Sequence, residues 1–207
     1  MEKRVHLSPD ERREQIVRGA LKIFSEKGFD AATNKEIAQV AGISSTGLIY
    51  HYFKDKIDLL RAVVEMQSEN RPGKEFPAAM LGMPLREGLH VVARHFLADI
   101  SSPTMVAFIR VLIGEAMRRP EFAKILSGLL VERMFTGLAA FFRHHQQQGS
   151  LRQTDPDLLT LRFVGGVTSV LMMREVLQIP AVRALDFDAI EHGLVEDFLS
   201  GVLPEPE

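Results

Sequence analysis

Apolar residues recur at spacings of three and four along most of this chain, which is the pattern of amphipathic helices. Clear apolar stripes of this kind lie in 8–28, 85–100 and 187–202. The alternation of apolar and polar residues that marks a strand is not found, and neither is a long internal repeat. We therefore predict an all-α fold of about nine helices.

Helix start and stop signals divide the first quarter of the chain into three short helices. Ser8 and Thr33 are each followed three residues later by a glutamate, which predicts two capping boxes. Gly28 and Gly42 are predicted to end the first and second helices, because glycine adopts the left-handed conformation without a Cβ clash. Pro9 suits the first position of the first helix, where its missing amide costs nothing.

The stretch 33–53 has the layout of a helix-turn-helix motif, in which the second helix enters the major groove of DNA. Ser44 or Ser45 is expected to cap this second helix through its hydroxyl group. Ile49 and Phe53 are four residues apart and are predicted to face inward. The positions that remain on the outer face are Thr46, Gly47, Tyr50 and His51.

The same stretch resembles the DNA-binding motif of the tetracycline-repressor (TetR) family of bacterial transcriptional regulators. The matching residues are Gly28-Phe29, Thr33, Ile37-Ala38, Ala41-Gly42-Ile43-Ser44, Gly47-Leu48-Ile49-Tyr50-His51-Tyr52-Phe53 and Lys56. The resemblance covers about the first quarter of the chain, and the remainder is similar only in length and helical character. One extra residue separates the turn serine from the glycine that precedes Leu48, which leaves open which of Ser44, Ser45 and Thr46 points toward DNA.

The resemblance implies a dimer that binds a pseudo-palindromic operator in double-stranded DNA. The candidate DNA-binding residues are Thr33, Ser44, Ser45, Thr46, Gly47, Tyr50, His51, Tyr52 and Lys56. Phosphate contacts are expected from the two tyrosines, Thr33 and Lys56, and base contacts from Thr46, Gly47 and His51. Two alternatives stay open: Tyr52 could be partly buried against the first helix, and Lys56 could be a solvated surface lysine.

A segment rich in proline and glycine, 71–84, is the best domain boundary in the chain. We predict a helix-turn-helix DNA-binding domain at 1–54 and a helical effector-binding and dimerisation domain at 55–207, with helix 55–70 connecting them. Within the second domain the pattern predicts one long helix at 121–147 and a loop at 179–186.

The predicted helix 155–177 is apolar on nearly every side, which indicates burial on more than one side. Two explanations stay open. The helix could pair with the last helix and their copies in a four-helix dimer seam, as the resemblance implies. It could instead be a central helix with a tight crossing at Gly165-Gly166. The predicted interface residues are Leu159, Phe163, Gly166, Val170, Ile190, Leu194 and Phe198.

Composition narrows the class of protein further. The net charge is −2 and the charges of 1–60 nearly balance, so that DNA binding must rest on individually placed cations. There are no cysteines, which excludes disulfides and thiolate metal sites. The N-terminus lacks a signal-peptide core, and the run Phe163–Met173 is shorter than the ~20 residues of a membrane span. We therefore expect a cytoplasmic protein without a membrane partner.

The resemblance also implies an effector, which we expect to be a small lipophilic molecule held in a mostly apolar pocket of the second domain. The candidate pocket residues are His90, His95, Arg110, Met134, Phe135 and Thr168. Each of them could equally be an ordinary surface or core residue.

Enzyme motifs are missing from the sequence: it has no Gly-x-Ser-x-Gly elbow, no P-loop and no His-Glu-x-x-His. His144 and His145 are adjacent and lack an acidic partner at ligand spacing, so no metal or other cofactor is expected. We predict a ligand-responsive transcriptional repressor. The alternatives are an activator with the same DNA-binding domain, a helical small-molecule-binding or assembly protein that does not recognise DNA sequence, and, more remotely, a helical enzyme.

Overall fold

The computed structural model describes residues 7–69, 81–99, 102–130 and 135–203. Its helices are α1 Pro9–Ala31, α2 Asn34–Val40, α3 Gly47–Tyr52, α4 Lys56–Glu69, α5 Leu85–Asp99, α6 Pro103–Ala116, α7 Pro120–Leu130, α8 Thr136–Gln147, α9 Pro156–Val170, α10 Pro180–Arg183 and α11 Phe187–Ser200. A π-helical turn, Leu171–Val176, continues α9. Within the described ranges there is no strand, which confirms the all-α prediction.

One described helix was not predicted, and one predicted helix is described in two parts. Residues 180–183, predicted as part of a loop, form the short helix α10 behind Pro180. The predicted long helix at 121–147 is described as α7 and α8, and residues 131–134 between them lie outside the described part.

Both predicted capping boxes are confirmed, and both glycines predicted to end helices have a positive φ, although α1 continues past Gly28 to Ala31. Ser8 and Thr33 both form complete capping boxes, with Glu11 and Glu36 respectively. Gly28 has a φ of +80°, so that α1 is kinked there before its last short turn. Gly42 has a φ of +64° and ends the turn after α2.

The chain divides into two compact units. The first consists of Met1–Arg71 with Ala107–Leu126, and the second of Pro72–Val106 with Ser127–Glu207. The predicted division at residue 54 follows the recognition motif, whereas the packing also groups α4, most of α6 and the start of α7 with α1–α3.

The core of the first unit fixes α2 and α3 on α1. Ile16, Phe24, Ile37 and Ile49 are almost fully buried there. Gly19 of α1 allows α2 to approach closely, because a Cβ at this position would lie 2.9 Å from the Cβ of Ala41.

The core of the second unit is formed by α5, α8, α9 and α11. Its members include Leu89, Phe141, Phe163 and Val195, all at least 97% buried. Gly88 of α5 is required at its position, because a Cβ there would lie 2.5 Å from Cζ of Phe141.

One stretch in the described part, 156–176, is long and apolar enough to cross a membrane by length and composition alone. It consists of α9 and its π-helical continuation. The core helix of a soluble protein meets the same criterion, and 33% of the most apolar 18 residues of this stretch are buried within the chain.

Candidate DNA-binding and dimerisation sites

The turn before α3 shows which of the two candidate serines caps the recognition helix. The hydroxyl of Ser45 accepts a hydrogen bond from the amide of Gly47 at 3.0 Å. Thr46 occupies the backbone N-cap position and makes no side-chain cap hydrogen bond. Ser44 is exposed, and Ile43 is buried and holds the turn against the core. Ser45 therefore acts as the cap, and the Thr46 hydroxyl is not used for capping.

The register predicted for α3 is confirmed. Ile49 and Phe53 are each 98% buried and anchor the helix to the core of the first unit. On the opposite side Gly47 and His51 are exposed, and Tyr50 is 63% exposed. The helix thus presents a flat polar face with a glycine at its start, where another backbone can come close.

Tyr52 lies on the flank of this face and is partly buried. An open cleft surrounds it, and its lining residues are Leu7, Ser8, Pro9, Glu11, Arg12 and Leu48. The ring meets His51 edge-on at 5.1 Å between centroids. The structure therefore places Tyr52 beside the start of α1, as the alternative interpretation expected.

Thr33 is exposed, and its hydroxyl takes part in the cap of α2. It accepts from the Glu36 amide at 3.3 Å and donates to Oε2 of Glu36 at 2.7 Å. Lys27 of α1 pairs with the other carboxylate oxygen of Glu36. The hydrogen bond from Lys27, followed by those from Thr33, lowers the pKa of Glu36 to about 2.

Lys56 joins the start of α4 to the end of α1. Its ammonium group donates to the carbonyl of Asp30 at 3.2 Å and to that of Ala32 at 3.1 Å, and it lies 4.6 Å above the centre of the Phe29 ring. Burial lowers the pKa of Lys56. An ammonium group has three donors, so that one donor remains beyond these two bonds.

An ion pair that no local pattern in the sequence indicates lies at the same end of α1. Arg119, at the corner between α6 and α7, donates to both carboxylate oxygens of Asp30. Its guanidinium also lies within 6 Å of the ring centres of Phe29 and Phe122. The loop between α1 and α2 is thus held by Lys56 and by Arg119.

Two lysines outside the predicted set are exposed near the recognition motif. Lys35 is the second residue of α2, and Lys54 follows α3 after Phe53. Their charges flank the exposed face of α3 along the chain and are of the kind that contacts DNA phosphates.

The candidate pocket residues do not all lie in the same unit. Four of them belong to the second unit and are partly buried: His90 and His95 on α5, Phe135 just before α8, and Thr168 on α9. Arg110 on α6 belongs to the first unit. Met134 lies outside the described residues. His90 points to α11, where its Nδ1 lies 2.7 Å from Oε1 of Glu191.

Most of the predicted interface residues lie inside the chain's own core. Leu159, Phe163, Val170 and Phe198 are at least 91% buried, and the rings of Phe163 and Phe198 meet edge-on at 5.2 Å. These side chains offer little surface to a second copy. Gly166, Ile190 and Leu194 are partly buried.

The tight helix crossing expected at Gly165-Gly166 lies within the chain and involves one of the two glycines. A Cβ on Gly166 would lie 3.1 Å from Cδ2 of Leu194 on α11, whereas Gly165 faces open space. Leu158 and Leu161 lie on the Gly165 side of α9 and are more than half exposed. We call Leu158, Leu161 and Gly165 the outer face of α9.

Comparison with known proteins assigns both parts of the chain. Residues 16–63 match the family described as bacterial regulatory proteins, tetR family, and residues 87–200 match the AefR-like transcriptional repressor C-terminal domain. The second match covers more than half of the chain.

Individual relatives agree with this assignment. The regulator UidR of Escherichia coli strain K12 is 31% identical over 153 residues, which cover 72% of this chain and 71% of UidR. The regulator HbdR of Aromatoleum sp. strain CIB is 53% identical over 51 residues, 25% of this chain and 22% of HbdR. A TetR-family regulator from Mesorhizobium loti has the same fold, with a TM-score of 0.79 at 21% identity over 96% of this chain and 100% of its own.

The chain therefore belongs to the TetR family of bacterial transcriptional regulators. It is a ligand-responsive DNA-binding repressor and not an enzyme. Regulators of this family are soluble proteins that bind DNA operators and effectors, usually as dimers. The predicted alternative of a helical binding protein without sequence recognition is not favoured.

Proposed function

We propose that this TetR-family regulator binds a pseudo-palindromic operator as a homodimer and is released from it by a small lipophilic effector. The observation that supports the proposal is the division of α3 into a buried side and an exposed side. Ile49 and Phe53 fix the helix to the core, while Gly47, Tyr50 and His51 stay exposed on its other side.

In this proposal the exposed face of α3 lies in the major groove. Gly47 lets the backbone approach the bases, and His51 and Thr46 supply hydrogen-bonding groups for base edges. The Tyr50 hydroxyl contacts a phosphate. Because Ser45 caps the helix, it positions α3 and makes no base contact of its own.

Cations around this face supply the phosphate contacts. The remaining donor of Lys56 reaches a phosphate, since its other two bonds fix the ammonium group at the end of α1. Lys35 and Lys54 are exposed and add contacts on either side. This arrangement fits a chain of net charge −2, because placed cations replace a basic surface. Thr33 caps α2 and Tyr52 lies beside the start of α1, so that we assign both residues a structural role next to these contacts.

We propose the outer face of α9 as the dimer surface. Leu158 and Leu161 are 53% and 55% exposed, and a cluster of exposed leucines on a soluble protein marks an interaction site. Gly165 is on the same face and has no side chain, so that a second helix can approach closely there. Leu159 and Phe163 support the surface from beneath.

Release by the effector requires that the effector bind the DNA-competent and DNA-incompetent states with different affinities. His95, Phe135 and Thr168 of the second unit are the described residues we propose for its pocket. The helices that carry these residues are mostly apolar, and we therefore propose a lipophilic effector.

The proposed function is tested by selection of binding sites from a pool of random duplexes with the purified protein at two salt concentrations. We expect recovered sequences with two inverted half-sites and binding that weakens steeply with salt. Recovery of a single half-site would contradict the dimeric operator, and recovery of no common sequence would contradict operator recognition.

A further inference from the structure

A cluster of potential metal ligands lies where α5 packs against α11 in the second unit. His90 belongs to α5, and His192 and Glu196 are four residues apart on α11, so that they share one side of that helix. One ligand atom from each of the three residues lies within 4.8 Å of the other two. The cluster joins two helices that also pack through the apolar core, which restrains its geometry.

The orientation of His90 is set by a buried carboxylate. Its Nδ1 lies 2.7 Å from Oε1 of Glu191, and Glu191 is only 8% exposed. A carboxylate accepts at this distance, so that Nδ1 is the donor, and in a neutral ring with this tautomer the lone pair is on Nε2. A metal-binding histidine characteristically donates its other ring N–H to a carboxylate in this way. The other ring nitrogen, Nε2, lies 3.5 Å from Oε1 of Glu196.

We propose that His90, His192 and Glu196 bind one divalent transition-metal ion of the zinc class, with Glu191 as the residue that positions His90. Two imidazoles and one carboxylate favour zinc, nickel or copper over magnesium and calcium, which prefer oxygen ligands alone. Two ligands of a tetrahedral zinc ion lie about 3.3 Å apart, close to the separation of His90 Nε2 and Glu196 Oε1. His192 is exposed, and its ring stacks on that of His90 with 6.1 Å between the centroids, so that a small rotation can bring it into the site.

Two arginines of α5 compete with a metal for the carboxylates. Arg86 forms an ion pair with Glu196 and lowers the pKa of that carboxyl group. Arg94 lies 3.7 Å from Oε1 of Glu191. The side chain of Arg86 is 53% exposed and can turn to solvent when a metal binds. Removal of Arg86 should therefore strengthen metal binding, whereas removal of a ligand should weaken it.

The site could not be found from spacings along one helix. His90 and His95 are five residues apart, so that they do not lie on the same face of α5. The other two members of the cluster, His192 and Glu196, lie on α11, about one hundred residues later in the chain. The site is distinct from the proposed DNA-binding face, which is in the first unit.

The test is calorimetric titration of Zn²⁺ into untagged, chelator-treated, full-length protein. We expect one saturable site per protomer. His192→Ala and Glu196→Gln should each lower the affinity at least ten-fold, and Glu191→Gln roughly ten-fold. His144→Ala is the matched control, a partly buried histidine of α8 outside the cluster, and it should bind zinc as the wild type does. Arg86→Gln should bind more tightly.

Thermal unfolding distinguishes a metal site from a hydrogen-bond network that only stabilises the packing of α5 against α11. Zinc should raise the melting temperature of the wild type and of His144→Ala, and not that of His192→Ala, because a ligand that binds the folded state stabilises it. In chelator the exposed His192→Ala variant should melt with the wild type. The proposal is overturned if the wild type has no saturable zinc site, or if His192→Ala and Glu196→Gln bind zinc as tightly as the wild type.

Discussion

Arg119 and Asp30 form a two-point ion pair within the first unit, with Nη2 of Arg119 2.8 and 2.7 Å from the two carboxylate oxygens of Asp30. Arg119 lies at the corner between α6 and α7, and Asp30 lies in the last turn of α1, just before the recognition motif. The hydrogen bond from Arg119 lowers the pKa of Asp30 and raises that of Arg119. The pair is a direct connection from 107–126 to the DNA-binding helices.

Arg119→Gln should weaken the communication between effector and operator. Both groups are partly exposed, so that the free energy of unfolding should change little. The factor by which the effector lowers operator affinity should decrease, because α6 and α7 lose their ionic contact with the α1–α2 loop. The measurement is operator binding by fluorescence anisotropy with and without effector. Arg119 also pairs with Glu115, with Nε 3.4 Å from Oε2, so the control is Arg118→Gln, which removes an ion pair to Glu115 and leaves the pair with Asp30. Equal coupling in both variants would refute a role for the pair of Arg119 with Asp30.

Glu36 should make the stability of the DNA-binding helices depend on pH. Its pKa is about 2 in the folded chain against an ordinary value of 4.5, so that its contribution is complete above 4.5 and is lost as the pH falls toward 2. Glu36→Gln should unfold at lower urea concentration than the wild type at pH 7, and the difference should shrink at pH 3. Lys27→Gln should behave alike, because it removes the main partner. An equal difference at both pH values would contradict this explanation.

Gly19→Ala should destabilise the first unit. The added Cβ would lie 2.9 Å from the Cβ of Ala41 and 3.1 Å from backbone atoms of α2, so that α1 and α2 must separate. Overpacking of this kind costs about 1–3 kcal/mol. Chemical denaturation measures the effect, with Gly114→Ala as control. Gly114 is also helical but faces open space, and alanine there should add up to about 1 kcal/mol of stability. A Gly19→Ala variant as stable as the wild type would show that the crossing can relax.

Leu161→Glu should convert the proposed dimer to a monomer. Leu161 is 55% exposed on the outer face of α9, and a charge there would be desolvated at the dimer surface. Sedimentation velocity at micromolar concentration measures the change. Met117→Glu is the control, because Met117 is also an exposed apolar residue but lies at the end of α6 in the first unit. A wild-type monomer, or a Leu161→Glu dimer of unchanged stability, would exclude this surface.

Features that depend on local spacing could be predicted from the sequence. The capping boxes at Ser8 and Thr33, the positive φ of Gly28 and Gly42, and the inward positions in α3 each follow from residues within one or two helical turns. The choice between Ser44 and Ser45 could not be made, because it depends on the detailed path of the turn.

Features that depend on which helices pack together could not be predicted. Asp30 and Arg119 are 89 residues apart, and nothing in either local sequence indicates the other. The same holds for His90 and Glu191. The interface prediction selected the most apolar residues of α9, such as Leu159 and Phe163. Those residues form the chain's own core, and the surface left for a partner carries Leu158 and Leu161.

Recognition of a specific DNA sequence by the exposed face of α3 can be tested with two duplexes. The affinity of the wild type is measured for the selected operator and for a scrambled duplex of the same composition, beside those of His51→Ala and the control His144→Ala. We expect the wild type and the control to prefer the operator by about a thousand-fold or more. His51→Ala should lose roughly ten-fold in affinity for the operator and little for the scrambled duplex. Equal binding of the wild type to both duplexes would show that α3 does not recognise a specific sequence.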